Sequence, residues 1–193
     1  MATSVLSSPF MNLNTINTIL SSTKTIPIEQ KIQLLEAKIH LLTSTLPALV
    51  SHAIAGDPAP IHSLQVRSAR DTRVQEIDTI RLDLGQTYLQ QKVPDYIRAE
   101  VEFGIIDKDC KNMLKRLKKR ANSDSTKQAG IADPFNIHQP ESPISEEEWI
   151  VEIKRLRISA LKGMIIVEEG LGRAARVERW KKAIEDIEHS PIP

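Results

Sequence analysis

Ile28-Glu29-Gln30-Lys31-Ile32-Gln33-Leu34-Leu35-Glu36-Ala37-Lys38-Ile39-His40-Leu41-Leu42-Thr43-Ser44-Thr45-Leu46 places aliphatic side chains at Ile28, Ile32, Leu35, Ile39, Leu42 and Leu46, and Leu49 follows in phase. The steps alternate four and three, the a/d spacing of a heptad. A straight helix drifts off such a seam, so the pattern favours a helix that supercoils against another. Thr25 is expected to cap this helix and Pro27 to sit in its first turn, where a missing N–H has no intrahelical partner. Pro47 removes an internal hydrogen bond and is expected to bend or end the helix near Ser44 to Leu46. Gly56-Asp57-Pro58-Ala59-Pro60 then breaks the chain.

Downstream, Val74, Ile77, Ile80, Leu84 and Tyr88 mark a second helix over about 61–92, polar on nearly all faces between Gln65 and Arg73. Val93-Pro94-Asp95 starts a third helix or kinks the second, and periodicity does not separate the two cases. Its expected stripe is Ile97, Val101, Ile105 or Ile106, Cys110, Met113 or Leu114, and Leu117. Residues 121–144 lack an apolar period and read as a flexible linker. Ser145 with Glu148 forms a capping box. The stripe Trp149, Ile153, Leu156, Ala160, Gly163 and Val167 follows. Gly170 is expected to be the left-handed C-cap, and a last helix carries Val177, Trp180, Ile184 and Ile187.

These signals specify an all-α chain of elongated helices with coiled-coil heptads. A flexible tail spans 1–25, a helical coiled-coil region 26–120, the linker 121–144, and a C-terminal helical hairpin 145–189. Composition agrees. Aromatic residues are 4% of the chain, so the buried area must come from aliphatic side chains. Charged residues at 26% suit helices with wet faces. The net charge of +1 gives no overall attraction to nucleic acid or membrane. No apolar run reaches the roughly 18 residues that span a bilayer. The single cysteine, Cys110, fits a reducing compartment such as cytosol or nucleus.

Chemistry-bearing patterns are sparse. His40, His52, His62, His138 and His189 show no zinc spacing. Cys110 has lysine neighbours that would activate a thiolate, but its place in an apolar stripe favours a core role. Gly170-Leu171-Gly172 follows a helix and not a strand, so it lacks the context of a phosphate loop. No catalytic residue, metal or cofactor is expected. Three Ser-Pro pairs, at Ser8, Ser142 and Ser190, offer phosphorylation sites in segments expected to be flexible.

One charged cluster stands out. Lys111, Lys115, Arg116, Lys118, Lys119 and Arg120 put six cations in ten residues. Three readings stay open: a solvated helix end that complements the dipole, a nuclear import signal, or a nucleic-acid contact. No aromatic interleaves the run, which weakens the last by removing base stacking.

The stretch Glu152-Ile153-Lys154-Arg155-Leu156-Arg157-Ile158-Ser159-Ala160-Leu161-Lys162-Gly163-Met164-Ile165-Ile166-Val167-Glu168-Glu169-Gly170-Leu171-Gly172 resembles the tail of the centromere protein H family. The shared features are a basic-apolar helix, an aliphatic run, and a glycine break before a short final helix. The resemblance implies a helical coiled-coil subunit of the inner kinetochore, working beside centromere protein K, without catalysis. The expected function is therefore a non-enzymatic subunit of a nuclear assembly, with a cytoplasmic location as the alternative. It would bind partner helices through Ile28, Ile32, Leu35, Ile39, Leu42, Leu46, Trp149, Ile153, Leu156, Val167 and Trp180 as part of a hetero-oligomer. The alternative function is a nucleic-acid-binding adaptor that uses residues 111–120.

Overall fold

The computed structural model describes residues 12–22, 25–46, 61–127 and 146–190, and among these all regular structure is helical. Six helices follow one another: α1 Leu13–Leu20, α2 Ile28–Ser44, α3 Ile61–Leu89, α4 Tyr96–Lys127, α5 Glu146–Gly170 and α6 Ala174–Glu188.

The centre is a three-helix unit of α3, α4 and α5. Tyr88, Leu84, Ile80 and Ile77 of α3 meet Ala99, Phe103, Ile106, Cys110, Met113 and Leu117 of α4 in one apolar cluster. Ile150, Ile153, Leu156, Ala160, Met164 and Val167 of α5 complete it. Pro94 separates α3 from α4, and Asp95 caps α4 by accepting from the Arg98 N–H at 3.1 Å. Cross-links set the directions. Arg81 pairs with Glu102 at 2.6 Å and Asp71 with Arg116 at 2.6 Å, so α3 and α4 run antiparallel. The Trp149 indole N–H donates to Gln75 at 2.5 Å and the Gln75 amide donates to Glu152 at 3.2 Å, near the start of α5. Gly85 and Gly163 both face the Phe103 ring farther along, so α5 runs with α3.

The heptad helix α2 finds its packing partner inside the chain. Ile32, Leu35, Ile39 and Leu42 are buried in the central cluster. Lys31 pairs with Asp83 at 2.7 Å, and the Tyr88 hydroxyl donates to Glu36 at 2.6 Å. The two links advance together, so α2 and α3 run in the same sense. The opposite face of α2 is covered too: Leu34 and Ala37 bury Ile16 of α1.

Several local expectations are corrected. Residues 13–20 are helical rather than part of a flexible tail, because Asn12 caps them by accepting from the Thr15 N–H and Ile16 is fully buried. Pro27, not Thr25, occupies the N-cap of α2 and makes no side-chain cap bond. α4 continues through Lys127, so the expected linker loses its first turns to helix. The remainder, 128–145, lies outside the described residues, as do Pro47, Leu49 and the expected cap Ser145. The left-handed residue is Gly172, at φ 71°, and not Gly170. The Gly172 N–H donates to Glu169 O and the Arg173 N–H to Glu168 O, the paired bonds of a Schellman cap. Finally, Ile97 and Val101 are exposed and the first turns of α4 bury Ala99 and Phe103 instead, while the expected stripe holds from Ile106 through Cys110, Met113 and Leu117.

Candidate partner-binding groove

The expected partner-binding residues divide cleanly. Ile32, Leu35, Ile39, Leu42, Ile153, Leu156 and Val167 are buried in the chain's own core. Ile28, Leu46, Trp149 and Trp180 are partly buried against it. The heptad steps locate helix faces correctly but do not distinguish an internal neighbour from a foreign one, because both demand the same apolar stripe. A partner of the folded chain therefore meets surfaces other than those seven buried residues. Two are on view.

The first is a groove where α4 and α6 diverge over α5. α6 packs on α5 but not along α4. The two are tied at the far end, where Arg173 and Arg176 bridge Glu100 of α4 and the fully buried Glu168 of α5. Toward the C-terminal end of α4 they part. The space between them has a volume of about 450 Å³. Leu117 and Ile150 form its floor with Ile187, and Leu114 and Ala183 add apolar walls. Lys111, Lys115 and Lys118 rise from α4, Lys154 and Arg157 from α5, and Asp186 is the lone acid in the lining.

Those cations are not equivalent. Asp107 holds Lys111 at 2.6 Å and Arg157 at 2.8 Å. Lys154 donates to the Ser190 carbonyl at 2.8 Å, which fastens the end of α6 to α5. Lys115 and Lys118 are exposed and make no ion pair among the described residues. Arg116 turns the other way, to Asp71 on α3. The basic run is thus split by helix geometry: two cations are neutralised by carboxylates, and two stand on the groove rim. Lys119 and Arg120 lie on the helical backbone of α4, and their side chains are outside the described residues.

The second surface is the outer face of α4. Ile97 and Val101 are 60% and 55% exposed there, and Val93, in the turn before α4, is 80% exposed. Ile166 on α5 is exposed as well.

Reactive candidates are disposed of by burial. Cys110 is fully buried, and burial with the nearby Asp78 charge pushes its thiol well above the usual range, which removes the nucleophilic thiolate. Asp78 is also fully enclosed, with neither carboxylate oxygen hydrogen-bonded. Burial and then Asp109 push it up to about 8, against the lowering effect of Arg81. It faces the core and not a cleft. Among the described residues no group of three or more His, Cys, Asp or Glu is placed to hold a metal, and no helix is long and apolar enough to cross a membrane.

The sequence located the basic run but missed the groove, because its floor is assembled from α4, α5 and α6 at positions up to 70 residues apart, from Leu117 to Ile187. No protein family, curated protein or solved structure matches this chain.

Proposed function

We propose that this chain is a non-enzymatic structural or adaptor subunit of a larger nuclear assembly, and that it holds helices of other subunits in a hetero-oligomer. The carrying observation is the exposed pair Ile97 and Val101 on the outer face of α4, with the exposed Val93 in the turn just before it. Water-facing large aliphatics at helical spacing offer a partner helix apolar area that this chain leaves uncovered. The basic run supplies the nuclear reading. The resemblance to centromere protein H makes the inner kinetochore the assembly we would test first.

The reading is tested by the size of the native species. In extract from native cells the chain should elute well above its own 21.7 kDa. The I97D/V101D variant should return to monomer size while its thermal unfolding is unchanged, since both side chains already face water. Elution of the unaltered chain as a monomer overturns the reading.

The nucleic-acid alternative draws on the two rim lysines, which make no ion pair among the described residues. It predicts binding that falls steeply with salt and is lost on charge reversal of Lys115 and Lys118.

A further inference from the structure

We infer that the groove between α4, α5 and α6 receives an acidic amphipathic helix of a partner protein; this rests on the adaptor reading and names the chemistry of one partner.

The groove offers complementarity of two kinds at one place. The floor, Leu117, Ile150 and Ile187, is apolar, and it rewards apolar side chains spaced at i, i+3 or i+4 on an incoming helix. A volume of about 450 Å³ holds a few such anchors, not a whole helix, so the rest of the partner must lie across the rim. On that rim Lys115 and Lys118 carry charges that no carboxylate of the described chain satisfies. They are three residues apart on one helix, so they present two cations along one edge. Glu or Asp residues flanking the anchors meet them there. The neighbouring cations Lys111 and Arg157 share Asp107, and Lys154 is held by the Ser190 carbonyl, which leaves Lys115 and Lys118 as the lining cations without a partner among the described residues.

The same features disfavour a nucleic-acid strand. A phosphate backbone gains nothing from an aliphatic floor, and the described lining residues include no aromatic for base stacking.

The test uses the purified full chain and fluorescence anisotropy. The probe is a labelled peptide of about 15 residues, long enough to form a helix in context, with Leu anchors at i, i+3 and i+7 and Glu flanks. It should bind saturably, with micromolar affinity. The K115E/K118E variant should weaken binding about tenfold or more, by turning two attractions into repulsions. Both lysines are exposed, so the fold is not at stake. A183F should fill the groove and abolish binding with the helical circular dichroism retained. Equal binding of a peptide with Ser in place of Leu overturns the inference by reducing it to charge alone. Tighter, competing binding of single-stranded or duplex DNA overturns it in favour of nucleic acid. No binding of the Leu/Glu peptide overturns it outright, and leaves the α4 assembly face, read by elution size, untouched.

Discussion

The ring of Phe103 on α4 stands where a side chain on Gly163 of α5 would have to be: a Cβ there would lie 2.5 Å from the ring. Gly85 of α3 makes the matching allowance from the other side, where a Cβ would lie 2.6 Å away. Phe103 is fully buried, so one aromatic joins three helices through two positions that lack side chains. This sets how closely α3, α4 and α5 approach, and so where the groove opens farther along α4 and α5.

Gly163→Ala should therefore destabilise the protein by about 1–3 kcal/mol, because the enclosed ring has little room to yield. That loss opposes the gain of about 1 kcal/mol that Ala normally brings to a helix. Gly104 is the control: a Cβ there meets nothing within 4 Å, so Gly104→Ala should stabilise by up to about 1 kcal/mol. Urea unfolding followed by circular dichroism checks both. Shifts of the same sign would show that the ring is not the joint.

Gly172 adopts φ 71° in the turn between α5 and α6. Gly172→Ala should cost about 1 kcal/mol, and Gly172→Asn less, since Asn tolerates the left-handed region. Space is not the issue, because nothing lies within 4 Å of a Cβ there. Equal melting temperatures for the Ala and Asn variants would argue against the backbone explanation.

Glu168 is fully buried, while its partners Arg173 and Arg176 are 41% and 44% exposed. The two ends of these pairs should respond unequally. Glu168→Ala empties an enclosed site that anchors both guanidiniums, and should cost about 2–3 kcal/mol through the cavity left behind. Arg176→Ala removes a screened, half-exposed partner while Arg173 remains, and should cost clearly less than Glu168→Ala. Amide exchange should quicken first in α6. Uniform exchange along the chain in Glu168→Ala would sever the link between this cluster and the seating of α6.

Asp78 predicts a pH dependence of definite sign. Its carboxyl is raised from 3.8 to about 8 in the folded chain, so the folded state binds the proton more tightly than the unfolded state. The stability it contributes is full below about pH 4 and is lost as pH rises toward 8, at about 1.4 kcal/mol per unit. Asp109, Arg81 and Glu102 act on Asp78 through their charges, and Asp78 acts in turn on Cys110. Asp78→Asn removes only the Asp78 contribution. The stability of the variant relative to the parent should rise between pH 5 and pH 8, measured by thermal unfolding at each pH. A flat difference would place Asp78 in contact with water or a cation.

Much of the fold was legible in the chain. The stripes Val74 to Tyr88 and Trp149 to Val167 locate α3 and α5, because core faces at helical period leave a direct trace in sequence. Helix α1 was missed for want of charge: Leu13, Ile16, Ile19 and Leu20 form its apolar side in a segment otherwise of Ser, Thr and Asn. Its stability comes from burial against α2, which no local signal reports. The misplaced face of α4 has a different cause. Ile97 and Val101 fit a period-of-four row as well as Ala99, Phe103 and Ile106 fit the core row. Both faces are apolar, and periodicity alone does not rank them.

The sequence by itself determined that this is a helical chain, where most helices lie, and that six cations gather near the end of α4. Those properties are local, set by backbone propensity and by the period of apolar residues. Only the tertiary structure decided that the Ile28 to Leu46 seam is filled by the chain's own α3, because a heptad stripe specifies that a neighbour exists and not whose it is. Only the tertiary structure divided the basic run, turning Arg116 to Asp71 and Lys111 to Asp107 while leaving Lys115 and Lys118 on a groove rim. A helix turns about 100° per residue, so neighbours in sequence face different surroundings, and the carboxylates that neutralise some of them arrive from other parts of the chain.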